Sequence, residues 1–146
     1  MYRTKIISDH LVFIKHFGIL KGGETVFALS ELGNASTNQR IGSSDEHPKV
    51  VIDVRDVEFA DMTNSDSAFH MIMSKKLSVY IKSMPDIKIC YLVNPENPTT
   101  DLILTRVDMA RRFYGEQVYA AVAQSAKEAI EIWGLPHDFF AMVEDV

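Results

Sequence analysis

The first twenty residues follow the two-residue apolar period of β-strands rather than the period of a helix. Two such runs, Tyr2 to Ser8 and Leu11 to Phe17, are separated by a two-residue polar turn. This spacing predicts a β-hairpin, and Gly18 together with the pair Gly22-Gly23 is expected to end its second strand. A helix is expected to follow from Glu24 to about Gln39.

Segments with a helical period alternate with β-like runs through the rest of the chain. Val50 to Val54 is an almost continuous β-branched run, which predicts a strand covered on both faces. Apolar residues spaced by three and four between about Asp66 and Met84 predict a helix that ends before Pro85. The same signals predict strands over Ile87 to Val93 and Gln117 to Ala123, and helices over Thr100 to Tyr114 and Ser125 to Trp133.

The order of these elements, ββαβαβαβα, defines the fold class. Strands joined through helices run parallel, whereas the opening hairpin is antiparallel. The sequence therefore predicts an α/β fold with a mixed, mostly parallel sheet of about five strands and four helices. A chain of 146 residues without a long linker is expected to form a single domain over residues 1–146.

The last predicted helix has capping residues at both ends and is followed by a tail. Ser125-x-x-Glu128 is a capping-box pattern, and Gly134 is expected to end the helix. The tail, residues 135–146, is acidic but carries Phe139-Phe140 and Met142-Val143, which are apolar enough to need cover. Packing on the domain itself is favoured, and a homodimer is the alternative.

Composition narrows the class of protein. The chain is 47% apolar with a formal net charge of −5, which indicates a globular protein and disfavours nucleic acid as a partner. The single cysteine, Cys90, excludes an internal disulfide framework and fits a reducing compartment. Because no signal peptide and no apolar run of about 20 residues is present, we expect a cytoplasmic protein without membrane insertion.

The segment from Val50 to Asn64 carries the most functional information. It reads as a buried strand, a polar turn and the start of a helix, and α/β proteins place ligands and phosphates at such strand ends. Four acids lie along it, Asp53, Asp56, Glu58 and Asp61. Alternation along a strand would point them to different faces, so a solvated strand end is expected rather than a cation site.

Three segments resemble the STAS domain, the fold of bacterial anti-sigma-factor antagonists and of sulfate-transporter tails. They are Leu11 to Leu20, with its Gly-x-Leu step; Val50 to Asn64, with an aromatic at Phe59 two residues before an acid; and Gln124 to Leu135. The related STAS/SEC14-like group has the same strand order, and the end of the last helix at Trp133 is similar to its ending.

The resemblance implies a regulatory role for the turn. In the antagonists this turn reads Asp-Ser-Ser/Thr-Gly, and a partner kinase, itself the anti-sigma factor, phosphorylates the second hydroxyl. The corresponding residues here are Asp61-Met62-Thr63-Asn64, which keep the acid and the acceptor hydroxyl but replace the first hydroxyl and the glycine. Thr63 is thus the phospho-acceptor candidate, while Thr63-x-x-Asp66 is also a pattern that caps a helix.

Two functional hypotheses follow. The first is a non-enzymatic regulatory or protein-interaction domain that binds a kinase, an anti-sigma-like protein or another regulator through the turn at 61–67. Its partner-contact candidates are Asp61, Met62, Asn64, Ser65, Ser67, His70 and Met71. The second is a binding module for a small apolar or lipid-like molecule, with Phe69, Met73 and Phe113 as pocket candidates.

The sequence contains no motif that favours an enzyme or a metalloprotein. No pair of its five histidines has ligand spacing, and no Gly-x-Ser-x-Gly elbow is present. Cys90 lies within a predicted buried strand, where thiols are usually inert. We therefore predict no catalytic residue, no metal and no cofactor.

Overall fold

The computed structural model describes residues 1–8, 10–21, 24, 49–61, 87–105, 108 and 118–146. Within these residues the strands are β1 (Tyr2–Ser8), β2 (Leu11–Lys21), β3 (Lys49–Asp61), β4 (Ile87–Leu92) and β5 (Val118–Ala123). The described helices are α1 (residues 100–105), α2 (Ala126–Trp133) and α3 (Phe139–Met142). None of the described helices has the length and apolar character to span a membrane.

The five strands form one sheet in the order β1-β2-β3-β4-β5. β1 is antiparallel to β2, and the other three pairings are parallel. This confirms the predicted mixed, mostly parallel sheet with an opening hairpin. The predicted helices that start at residues 100 and 125 are present in the described residues, whereas those over 24–39 and 66–84 lie outside them.

The central strands are covered on both faces, as the β-branched run predicted. On one face Phe13 and Val51 are buried, and on the other Ile14 and Ile52 are buried equally well. Burial on both faces is typical of parallel strands, which have no solvated side.

Two predicted boundaries were wrong. β2 does not end at Phe17 but continues through Gly18 to Lys21, just before Gly22-Gly23, and β3 continues past Val54 to Asp61. The two extensions pair with each other, so each supplies the backbone hydrogen bonds that the other needs. Glycine and acidic residues, which locally favour a turn, are held in strand by this distant pairing.

α2 is capped as its sequence predicts. The Ser125 hydroxyl accepts a hydrogen bond from the Glu128 N–H at 3.1 Å, while the Glu128 carboxylate accepts one from the Gln124 N–H. At the other end Gly134 takes the left-handed conformation with φ 62°. The Lys49 ammonium donates to the last helical carbonyl, Trp133 O, at 2.8 Å, which places a cation at the negative end of the helix dipole.

The C-terminal segment packs on the sheet of its own chain. Trp133, Leu135, Phe139 and Val143 join the buried cluster that includes Phe13 and the neighbouring strand residues. The prediction that this tail covers its own domain is therefore confirmed within the described residues, and it includes a short helix, α3, that was not predicted. The homodimer alternative stays a prediction.

Lys5 on the edge strand fastens the end of this segment. Its ammonium donates to Met142 O at 2.6 Å and pairs with the Asp145 carboxylate at 2.9 Å. The hydrogen bond from Lys5 lowers the pKa of Asp145 below its ordinary value. The Asp145 carboxyl is fully exposed, so this pair orients the chain end more than it stabilises the fold.

Candidate functional site

β2 and β3 extend together beyond the rest of the sheet. β4 accompanies β3 only as far as Asp53. β2 continues to pair with β3 up to the partners Lys21 and Asp61. Within the described residues the two strands therefore continue past β4 as a paired segment, which we call the ribbon and define as residues 17–21 and 56–61. On the β1 side, among the described residues, only Met1 hydrogen-bonds to it: Met1 O accepts from the Phe17 N–H at 3.0 Å, and the Met1 ammonium donates to Ile19 O at 2.9 Å. The turn implied by the resemblance begins at the tip of this ribbon.

Two β-bulges in β3 set the direction of the ribbon. The pairing shifts between Lys15 and Phe17 and again between Gly18 and Ile19, and each time β3 contains one residue more than β2. Such an extra residue bends the strand and increases its twist. Gly18 lies at the second shift with φ 64°, a conformation that costs a residue with a Cβ atom about 1 kcal/mol or more.

Asp53 and Arg55 stabilise the first bulge. The Arg55 N–H donates to Asp53 Oδ1 at 3.1 Å, and the guanidinium donates to the same carboxylate from Nε at 3.0 Å and from Nη2 at 2.8 Å. Asp53 is only 3% exposed, whereas the Arg55 side chain is 37% exposed and lies over the Phe140 ring, 5.5 Å from its centroid. The hydrogen bond to Asp53 raises the pKa of Arg55 despite partial burial, so the guanidinium stays charged.

The expectation of a solvated acidic strand end was wrong for Asp53. Its two carboxylate oxygens are occupied by one backbone and two side-chain donors of Arg55. A bulge leaves a backbone N–H without a partner in the ladder, and a carboxylate two residues earlier can accept it. Asp53 therefore has a structural role.

The loop after β4 closes against the ribbon through Asn97. Its side-chain Nδ2 donates to Val57 O at 2.6 Å, just past the point where β4 leaves β3. The Asn97 Oδ1 accepts from the Thr99 N–H at 2.9 Å and from the Thr99 hydroxyl at 2.8 Å. The Thr100 hydroxyl donates to Asn94 O at 2.5 Å at the start of α1. The sequence identified this loop only as a strand break.

The ribbon exposes two large apolar side chains side by side. Phe59 is 61% exposed and Ile19 is 49% exposed, and the two are partners in the β2–β3 register. Asp56 beside them pairs with Lys15 at 3.0 Å, whereas Glu58 is exposed and makes no ion pair within the described residues. The sequence could not show this pair, because Ile19 and Phe59 are 40 positions apart and no local pattern connects them.

The structure describes the approach to the predicted turn and not the turn itself. Asp61 is the last residue of β3 and lies at the ribbon tip. The other candidates lie outside the described residues: Met62, Thr63, Asn64, Ser65, Ser67, Phe69, His70, Met71, Met73 and Phe113. The phospho-acceptor hypothesis and the apolar-pocket hypothesis therefore both stay predictions.

Cys90 is unsuited to nucleophilic chemistry. It lies in β4, is buried within the sheet core, and its burial strongly raises the pKa of the thiol. Since the thiolate is the reactive form, the group is chemically quiet in the folded protein. Among the residues that the structure describes, no group of three or more histidine, cysteine or acidic side chains is placed to hold a metal ion.

We expect Cys90 to resist thiol reagents in the folded protein. A disulfide exchange reagent such as Ellman's reagent should label it at least about a thousandfold more slowly in native buffer than in 6 M guanidinium, because labelling requires opening that costs about 5 kcal/mol or more. As the chain has one cysteine, the absorbance change reports this site alone. Complete labelling of the native protein within seconds would contradict the burial.

Comparison with known proteins gives one similar solved structure. No family model and no curated protein sequence matches the chain. The structure of the anti-sigma factor antagonist SpoIIAA in its unphosphorylated form is similar, with 12% sequence identity and a TM-score of 0.47, covering 92% of this chain and 100% of that one.

Proposed function

We propose that this chain is a non-enzymatic regulatory domain that binds another protein through the turn at 61–67, with Thr63 as the phosphate acceptor. The observation that carries the proposal is the ribbon, which extends eight residues beyond the end of β4 pairing and brings Asp61 to its tip. Asp61 thus ends β3 at the carboxyl end of the parallel strands, the edge of the sheet at which α/β proteins bind their ligands.

The exposed pair on the ribbon supports a protein contact. Exposed apolar side chains that occur singly are normal on a protein surface. Exposed apolar side chains that lie next to one another form a patch, and such patches mark contact sites when they are large enough. Phe59 lies two residues before Asp61 on β3, and its partner Ile19 on β2 is exposed beside it. A contact centred on them would include the start of the turn.

Phosphorylation of Thr63 would weaken this contact. A phosphate adds a charge of about −2, and it must lose its water when an apolar surface covers it. It would also follow the acid Asp61 by two residues in the sequence, which adds to the negative charge of the turn. The free energy of the phosphorylated turn would therefore be lower in water than in the complex with the partner.

Four substitutions of Thr63 distinguish two roles of its hydroxyl, as a phosphate acceptor and as the cap of a helix. Asn and Asp both cap helices well, but only Asp adds charge, and Val can do neither. We expect Thr63→Asp to weaken partner binding by about tenfold or more and Thr63→Asn to leave it within twofold. Thr63→Val should lower the free energy of unfolding by about 1 kcal/mol if the hydroxyl also caps the helix, and Thr63→Ser should retain phosphorylation.

The probe is a purified anti-sigma-factor kinase, the class of partner that the resemblance implies. The protein is incubated with that kinase and ATP, phosphate is mapped by mass spectrometry, and binding of the kinase to each variant is measured by calorimetry. Phosphate on Thr63 with a selective effect of Thr63→Asp supports the proposal. Phosphate on Ser65 or Ser67 alone would contradict the choice of Thr63. Absence of both phosphate and binding would contradict the regulatory function.

A further inference from the structure

Arg55 connects two parts of the structure that are distant in the sequence. It lies within the first bulge of β3, between Asp53 and Asp56, where the ribbon begins. Its backbone N–H donates to Asp53 Oδ1 at 3.1 Å, and its guanidinium binds both oxygens of the same carboxylate. The guanidinium also lies over the Phe140 ring of α3, 5.5 Å from the ring centroid. One side chain therefore contacts both the base of the ribbon and the C-terminal segment, residues 135–146.

The Phe140 ring is oriented by the core. It meets the Phe139 ring edge-on, with an interplanar angle of 88° and centroids 5.0 Å apart, and Phe139 is fully buried. Phe140 itself is partly buried and packs against the same cluster. A cation over an aromatic ring is attracted by the ring quadrupole, and partial loss of water strengthens the attraction. The position of α3 therefore favours one position of the Arg55 guanidinium.

α3 has little stability of its own. It has only four residues, and within the described part of the chain the Asp138 side chain at its N-cap makes no capping hydrogen bond. Isolated helices this short are not stable in water. The buried side chains of Phe139 and Val143 anchor this helix on the sheet. The segment thus has two states, docked with the helix formed or undocked without it, and only the docked state places a ring against Arg55.

The first bulge requires Arg55 in its present position. The Asp53 carboxylate is only 3% exposed, so its negative charge needs the guanidinium beside it. The same carboxylate accepts the Arg55 N–H of the bulge. Because a bulge bends its strand and increases its twist, the direction of residues 56–61 depends on this arrangement. The geometry of the ribbon is thus tied to the position of one guanidinium.

We propose that docking of α3 controls the ribbon through the contact between Phe140 and Arg55. Docked α3 keeps Arg55 on Asp53 and the ribbon in a fixed geometry, whereas undocking frees the guanidinium and loosens residues 56–61. This deepens the proposed function, on which its consequence for binding rests, because an ordered ribbon loses less conformational entropy when a partner binds. By linkage, a partner that binds the ordered ribbon also favours docked α3.

Amide hydrogen exchange of the intact chain, followed by NMR, tests the inference without any partner. Phe140→Ala removes the ring from Arg55 but keeps the Phe139 anchor. We expect the amides of residues 56–61 to exchange at least about fivefold faster in this variant, because the ribbon loses an ordering contact at its base. Phe140→Leu keeps apolar volume without a ring and should act like Phe140→Ala, whereas Phe140→Tyr retains the ring and should leave exchange within about twofold.

Two further variants make the test specific to Arg55. Ile130→Ala is the matched control, since Ile130 is also partly buried against the same cluster but lies on α2. It should leave exchange of residues 56–61 within about twofold. In an Arg55→Met background, where the connection is already broken, Phe140→Ala should accelerate exchange by less than about twofold. Thermal unfolding establishes that every variant is folded.

Three exchange results would overturn the inference. One is unchanged exchange of the ribbon in Phe140→Ala and Phe140→Leu. Another is equal acceleration in Phe140→Ala and Ile130→Ala, because loss of packing alone would then explain the effect. The third is independent effects of Phe140→Ala and Arg55→Met, which would exclude Arg55 as the connection.

Binding of the purified anti-sigma-factor kinase separates this inference from the proposed function. We expect Phe140→Ala to weaken kinase binding by about threefold, and the bound kinase to slow exchange of the α3 amides. Equal kinase binding by Phe140→Ala and the unsubstituted protein would contradict the control of binding. If the exchange results are as expected but the kinase does not bind, the coupling stands and the proposed function fails. If Thr63→Asp weakens kinase binding while Phe140→Ala alters neither exchange nor binding, the coupling fails and the proposed function stands.

Discussion

Phe139→Ala is expected to lower the free energy of unfolding by about 3–5 kcal/mol. Phe139 is fully buried, and its ring meets Phe13 of β2 edge-on with centroids 5.9 Å apart and Phe140 with centroids 5.0 Å apart. Truncation removes the apolar contacts of an entire ring and leaves a cavity that the sheet cannot fill. Because small domains are stable by only about 5–15 kcal/mol, this is a large fraction of the total.

Urea unfolding followed by fluorescence measures the effect. The chain has one tryptophan, Trp133, which is buried in the same cluster and reports on its opening. Phe139→Leu keeps most of the volume and should cost clearly less, and Ile132→Ala on the exposed side of α2 should change stability by less than about 0.5 kcal/mol. A loss below about 1 kcal/mol for Phe139→Ala would show that the C-terminal segment contributes little to the core.

The elements that the sequence predicted well are those with local signals. The hairpin, the strand over Ile87 to Val93 and the capped helix at Ser125 each depend on residues within a few positions of one another. The period of the apolar residues, the turn residues and the helix-capping residues are local properties, so a single sequence is enough to identify them.

The ribbon could not be predicted because it depends on distant pairing. Glycine at position 18 and the acids after Val54 locally favour a turn, yet the two extensions hold each other in strand across 40 residues. The burial of Asp53 likewise depends on a bulge, and a bulge exists only once the register of two strands is known.

The candidate site likewise has one part that local sequence predicts and another that depends on the fold. The resemblance at Asp61 and Thr63 is a local sequence property, so it can be read from the sequence alone, and the role of Thr63 stays a prediction. The exposure of Phe59 depends on where β4 ends and where the loop with Asn97 begins. Sequence patterns place a large aromatic residue in a core by default, and only the sheet edge shows otherwise.

Arg55→Met is expected to lower the free energy of unfolding by about 2–3 kcal/mol. The substitution keeps an unbranched apolar side chain over Phe140 but removes both guanidinium donors from the buried Asp53 carboxylate. Removing one partner of a buried ion pair costs about 3–5 kcal/mol, and the value is reduced here because the Arg55 side chain is 37% exposed and water can enter. Arg55→Lys should recover only part of the loss, since an ammonium lacks the planar pair of donors with which the guanidinium binds the carboxylate.

A double-mutant cycle identifies the cause of that loss. Asp53→Asn retains an oxygen for the Arg55 N–H of the bulge, so the double variant Asp53→Asn/Arg55→Met buries no charge and should be more stable than Arg55→Met alone. Lys15→Met is the matched control, because it breaks a pair with the exposed Asp56 and should cost at most about 1 kcal/mol. Equal losses for Arg55→Met and Lys15→Met would mean that Asp53 is solvated after all. A selective loss that Asp53→Asn relieves would establish the buried carboxylate as the group that Arg55 compensates at the base of the ribbon.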